Sequence, residues 1–226
     1  MKRRGFVRDN GLSLFFGLVF LLALFGQSLT GRADTNNHRR TQGRTDISYV
    51  HYVTSSDFAV DVAENWQSEY LQFLLYIVAT IWLVQRGSPE SKEPGEEGTE
   101  SDAEQKIGEH AKADSPRWAA IGGLRTTLYS SSLALWMGAL FLGSWAAQSI
   151  AGWSAYNEQQ LGDKLPTVSW GGYATSADFW NRTLQNWQSE FLAVGSMVVF
   201  SVYLRQRGSP ESKPVGASHA ATADSG

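Results

Sequence analysis

The chain of 226 residues contains no cysteine, which excludes a disulfide, a thiolate nucleophile and a thiolate metal site. Its four histidines, His38, His51, His110 and His219, are scattered at no ligand spacing, so no metal site is expected. It also lacks a phosphate-binding glycine loop, a dinucleotide fingerprint and a nucleophile elbow. These absences predict a protein that is not an enzyme, uses no cofactor and has no nucleic-acid partner.

What the sequence has is a repeat. Leu12 to Lys92 returns without a gap as Leu133 to Lys213, 121 residues later, with 31 of 81 positions identical. That is too many for a chance match of two apolar segments. Asn65-Trp66-Gln67-Ser68-Glu69 recurs as Asn186-Trp187-Gln188-Ser189-Glu190, and Gln85 to Lys92 recurs as Gln206 to Lys213.

Each copy holds two apolar runs, Leu12 to Leu29 with Tyr70 to Val84 and then Leu133 to Ile150 with Phe191 to Leu204. A bilayer core about 30 Å thick needs about 20 helical residues. The first run of each copy reaches that length, and the second does so if its helix starts near Trp66 or Trp187. Asp57 and Asp178 are the candidate N-caps for those helices. The prediction is an all-α membrane protein with four transmembrane helices, arranged as two tandem helical hairpins of the same orientation. A cleaved signal peptide is disfavoured for the first run, because its duplicate lies inside the chain.

The domain boundaries follow: a first membrane repeat over 1–92, an acidic disordered linker over 93–123, a second repeat over 124–213 and a disordered tail over 214–226. The linker composition cannot bury enough apolar surface to order itself. Of the 19 Lys and Arg, 13 fall on the side holding both termini and the linker. That bias places both termini in the cytoplasm. Trp66 and Trp187 at one end, with Arg86 and Arg207 at the other, read as interface anchors. The outer segments Asp34 to Arg44 and Tyr156 to Lys164 match poorly between the copies and read as mobile. Small residues spaced four apart, such as Ala139, Gly143, Ala147 and Ala151, read as helix-packing positions.

The sharpest chemical candidate is a polar layer near the outer ends of the helices. Glu69 and Glu190, with Asn65, Asn186, Gln27 and Gln148, fall at one depth by the helical rise of about 1.5 Å per residue. A carboxylate inside a membrane is costly unless bonded, hydrated or protonated. Two readings follow, a proton- or cation-binding pair and an interhelical hydrogen-bond clamp, and the clamp is preferred.

With these repeated blocks, the chain resembles a family of small bacterial multi-pass membrane proteins that is itself a domain of unknown function. The resemblance covers roughly Val7 to Lys213 and implies a bacterial cytoplasmic membrane location and the four-helix layout. It carries no catalytic or binding residues across. The leading expectation is a structural or interaction component of that membrane, partnered by the lipid bilayer and by a homo-oligomer or another membrane protein. The alternative is a small channel or transporter built on the Glu69 and Glu190 pair.

Overall fold

The computed structural model describes residues 5–225. Lys2, Arg3 and Arg4, which contribute to the orientation argument, lie outside the described residues. Every regular element among the described residues is helical. In chain order these are α1 (Phe6–Asp9), α2 (Gly11–Thr41), α3 (Tyr49–Val53), α4 (Ser56–Trp82), α5 (Asp102–Gln105), a 3-10 turn (Gly108–His110), α6 (Arg117–Ile121), α7 (Gly123–Ser130), α8 (Ser132–Gly162), α9 (Trp170–Ala174) and α10 (Ala177–Tyr203). The bounds of α8, α9 and α10 are those of α2, α3 and α4 displaced by 121 residues.

The helix starts differ from expectation by two residues. Ser55 and Ser176 are the N-caps, each accepting a hydrogen bond at 3.3 Å, from Phe58 N and Phe179 N respectively. Asp57 and Asp178 sit instead in the first turn, where a carboxylate opposes the positive end of the helix dipole. A serine hydroxyl in extended backbone geometry reaches the third residue more readily than an aspartate already inside the turn.

The larger difference lies at the other helix ends. α2 and α8 do not stop where their apolar runs stop but continue through the polar stretches to Thr41 and Gly162. Both then close in the same way. Arg44 N donates to Arg39 O at 2.8 Å and Gly43 N to Arg40 O at 3.0 Å, the paired bonds of a Schellman stop. Leu165 N to Gln160 O at 2.8 Å and Lys164 N to Leu161 O at 3.2 Å repeat it. The left-handed position is glycine in the first copy (Gly43, φ 72°) but lysine in the second (Lys164, φ 60°). Poor sequence agreement here reflects solvent-facing side chains on a shared helical backbone.

The tightest helix pair is α4 against α8, and α4 also meets α10. α2 and α10 make no comparable contact. Side-chain size explains the asymmetry. Ala59 and Ala63 of α4 face Ala139, Gly143 and Ala147 of α8 across a shallow apolar groove. At the matching positions α2 carries Leu18, Leu22 and Gly26, and α10 carries Trp180 and Leu184, so four of the five are bulky and only Gly26 is small. Backbones approach closely where side chains are small.

Consequently α2 buries only Ser28 and Asn36. Its Leu12, Phe16 and Leu22 remain 75%, 61% and 61% exposed. Such a surface is unfavourable in water and is suited to hydrocarbon. α2 and α8 are long and apolar enough to cross a bilayer. α4 and α10, expected from the sequence to span as well, are not among the helices that reach that length of apolar surface, and their first turns carry Asp57, Asp61 and Glu64 in one and Asp178 and Arg182 in the other.

At the end of the bundle that holds the termini, the repeated exit motif folds the same way twice. Ser91 Oγ accepts from Gln85 N at 2.9 Å, and Ser212 Oγ accepts from Gln206 N at 2.9 Å. Lys92 Nζ then donates to Gly98 O and pairs with Glu100, while Lys213 Nζ donates to Ser218 O, His219 O and Ala221 O at 3.0–3.1 Å. The serine and lysine of the repeated Glu-Ser-Lys are thereby accounted for as a loop-closing device. Gly87 (φ 89°) sits where an added Cβ would lie 2.3 Å from His219 O, so the tail passes directly over it. Thr222 Oγ1 accepts from Gly87 N at 2.9 Å and ties the tail to the first copy's exit. The linker runs largely in turns, with Ser101 and Glu104 closing a capping box on α5.

Candidate functional site

At the opposite end, each copy folds a clip back over its own long helix. Asn36 does this in the first copy: its Oδ1 accepts from Ile47 N at 2.8 Å and its Nδ2 donates to Ile47 O at 3.3 Å. Asn157 makes the same pair with Val168, at 2.9 and 3.0 Å. An amide side chain thus satisfies both polar groups of a strand-like backbone residue that has no sheet partner. Ser48 and Ser169 cap the short α3 and α9 that follow.

Those short helices press aromatic rings onto glycine. Tyr52 and Tyr173 are each 1% exposed and lie over Gly31 and Gly152. A Cβ at Gly31 would stand 2.0 Å from Tyr52 Oη, and one at Gly152 would stand 2.3 Å from Tyr173 Oη. Burial, followed by the charge of Asp61, pushes the Tyr52 phenol up to about 12. Burial raises Tyr173 as well. Both rings therefore stay neutral across the ordinary pH range. Tyr49 Oη and Ser28 Oγ hydrogen-bond at 2.8 Å, and Trp170 Nε1 donates to Ser149 Oγ at 3.3 Å.

Beneath the clips a polar layer ties the helices together. Trp187 Nε1 of α10 donates to Gln67 Oε1 of α4 at 2.8 Å, and Gln67 is wholly buried. Gln148, also wholly buried, donates through Nε2 to Thr183 Oγ1 at 3.3 Å, while its Oε1 has no partner. Arg182 of α10 reaches Glu64 of α4 at 3.2 Å, Asp61 at 3.9 Å and Asp178 of its own helix at 3.6 Å. Asp61 and Arg182 occupy the same position in the two copies, so an equivalent site carries opposite charges that meet across the α4–α10 contact.

The residues expected from sequence are distributed unevenly over this layer. Gln148 belongs to it, and Trp187 belongs to it as a donor. Asn65 and Asn186 bond to carbonyls of their own helices, at Asp61 O (2.8 Å) and Arg182 O (3.0 Å). Gln27 is half-buried and Glu69 exposed, while Glu190 is partly buried. Among the described residues no hydrogen bond or ion pair engages Glu69 or Glu190. Trp66 is 40% exposed, its ring 6.2 Å from that of Phe20, and Arg86 and Arg207 are exposed at the far end.

Sequence reasoning missed Gln67, Thr183, Arg182, Asn36 and Asn157. One signal was available: Asn36 and Asn157 form the single identity between 32–46 and 153–167. Helical phase explains Gln67. The face of α4 that turns inward carries Val60, Ala63, Gln67 and Leu71, and Asn65 and Glu69 fall away from it.

Above the layer, the four long helices and α9 line a half-open cavity of 420 Å³. Asp34, Arg39, Arg44, Asp57, Asp61, Glu158, Asp178 and Arg182 give it charge, and Tyr156 and Tyr173 give it aromatic surface. Among the described residues no group of three metal-ligating side chains converges.

One family model, a domain of unknown function (DUF6766), matches residues 3–224. No curated protein and no solved structure matches the chain.

Proposed function

Because the chain belongs to the DUF6766 family, a domain of unknown function, we propose a role read from the bundle itself. It is a non-enzymatic, cofactor-free structural or interaction component of the bacterial cytoplasmic membrane. α2, α4, α8 and α10 all cross the bilayer, α4 and α10 from about Trp66 and Trp187 inward. The termini and linker lie in the cytoplasm, and the clips and the cavity lie outside. Lipid covers α2, and the partner is a second copy or another membrane protein.

The observation that carries this reading is the wholly buried Gln67 bonded to Trp187. At membrane depth this polar contact is spent joining one repeat to the other, as a structural clamp requires. The halves of the helices nearer the termini add few polar side chains that would line a path. Tyr76 is one of them, and its hydroxyl is engaged by Glu90.

A second reading rests on Glu69 and Glu190, which the clamp leaves unengaged: a transporter using them as a proton or cation pair. Purified protein in liposomes separates the two. The scaffold reading expects no proton or cation flux from wild type or from Glu69→Gln plus Glu190→Gln; flux lost in the folded double variant would refute it. The absence of cysteine makes topology equally testable, since single cysteines at Gln160 and Ser101 should label from outside and only after permeabilisation, respectively.

A further inference from the structure

The helical hairpin that leads into α8 is built inside out for a surface in water. Gly122 and Gly123 both hold a positive φ, 81° and 64°, which bends the chain between α6 and α7. Thr126 pins the bend: its Oγ1 accepts from Gly122 N at 2.8 Å and donates to Trp118 O at 2.7 Å. Thr126 and Ala119 are the buried residues of the pair, while Leu124 is 74% and Trp118 49% exposed. Leu124 and Leu128 share one face of α7 by their spacing, with Thr127 and Ser130 on the other side. A hydroxyl is kept inside and the large apolar groups are left outside.

Two further observations indicate what covers that face. α7 ends at Ser130, and α8, which is long and apolar enough to cross a bilayer, begins at Ser132. The exposed face is thus continuous with a surface of membrane length, at the level where tryptophan and amphipathic helices settle. The charge also changes sign here. The acidic linker ends at Asp114 and no Asp or Glu follows until Glu158, whereas Arg117 precedes Trp118 and Arg125 follows Leu124. Both arginines are exposed, and among the described residues no hydrogen bond or ion pair engages either. A guanidinium group in that position is suited to a phosphate.

We propose that α6 and α7 lie in the surface of the cytoplasmic leaflet, with Trp118, Leu124 and Leu128 against acyl chains and Arg117 and Arg125 on the phosphates of anionic lipids. The proposal rests on the membrane reading given above and adds the lipid class that this reading leaves open. Such an anchor holds the start of α8 at one depth and fixes where the acidic linker leaves the surface, since the same headgroups repel its carboxylates.

The chain has no cysteine, so Leu124→Cys, Thr127→Cys and Leu142→Cys can each carry one environment-sensitive fluorophore on the purified full chain. The labelled proteins are reconstituted in vesicles of phosphatidylcholine, or of phosphatidylcholine and phosphatidylglycerol in equal amounts, and quenched by iodide on both sides of the bilayer or by acyl-brominated lipid. With phosphatidylglycerol present, the Leu124 label should respond to the brominated lipid and the Thr127 label to iodide. Arg117→Gln and Arg125→Gln, which break no contact within the chain, should each lower the ratio of inserted to withdrawn Leu124 label about fivefold. In phosphatidylcholine alone the two substitutions should have no such effect. The Leu142 label, about 15 Å along α8 from its start, reports the span separately. If it responds to iodide in both vesicles, the membrane reading fails and the proposal with it. If it responds to lipid alone while the Leu124 label is open to iodide, shielded from both quenchers, or indifferent to phosphatidylglycerol and to the arginines, the anionic-lipid anchor alone is overturned.

Discussion

Replacing Gly152 by alanine tests the clip architecture most directly. The new Cβ would lie 2.3 Å from Tyr173 Oη and 3.0 Å from Cζ and Cε1, on a ring only 1% exposed. The ring must move by about an ångström, and α9 holds it in place. Overpacking of this kind costs about 2–3 kcal/mol. Alanine recovers about 1 kcal/mol of helix propensity over glycine. The net loss is therefore about 1–2 kcal/mol, or about 2–8 °C in Tm for a chain of this size.

Gly31→Ala should behave alike, since its Cβ would stand 2.0 Å from Tyr52 Oη. Gly17→Ala, with nothing within 4 Å, should be neutral or stabilising. The decisive arm is Gly152→Ala combined with Tyr173→Phe, which removes the atom most in conflict. Thermal unfolding of the four proteins in this cycle should show the pair more stable than the sum of its single losses. If Gly152→Ala matches Gly17→Ala in effect, or if Tyr173→Phe gives no relief, the close packing of the clip on α8 is not what the glycine serves.

Three further outcomes follow from the same contacts. Trp187→Phe strands Gln67 Oε1 in a buried site and should cost about 1–3 kcal/mol, with most of the loss recovered on adding Gln67→Leu, as read by denaturant unfolding. Asp61→Arg and Arg182→Asp should each lower Tm, and the exchanged pair should restore much of the loss, because the two positions are equivalent across α4 and α10; no restoration would count against a specific ion pair. The hydrogen bond that the protonated Glu211 carboxyl donates to Glu90, and then the Glu90 charge, hold Glu211 above the ordinary range. Its proton is kept to higher pH in the folded chain, so the stability it contributes is present at acid pH and is lost as pH rises through the raised value. A pH series of Tm should show this slope flattened in Glu211→Gln.

Much of this architecture was legible because it depends on local pattern. Long apolar stretches place the starts of α2 and α8 and the ends of α4 and α10 within two residues, and the caps expected at Asp57 and Asp178 lie two residues from the serines that serve. The polar ends of α2 and α8 were not legible, because solvent-exposed helix carries little periodic signal and the Schellman stop at Lys164 uses a residue that propensity argues against. The polar layer was legible by depth and not by direction. Asn65, Gln67 and Glu69 sit within about 6 Å of one another along the axis, yet only Gln67 turns inward.

The sequence by itself determined an all-helical chain written twice, with no chemistry of sulfur and with apolar runs of membrane length, since composition and periodicity act residue by residue. Only the tertiary structure decided that the two copies are used differently. α8 lies tight against α4 because alanine and glycine let their backbones meet, whereas leucine and tryptophan hold α2 away from α10. Asp61 and Arg182 become partners only when α4 and α10 are brought side by side. Such pairings depend on distances between residues far apart in the chain, and no local pattern encodes them.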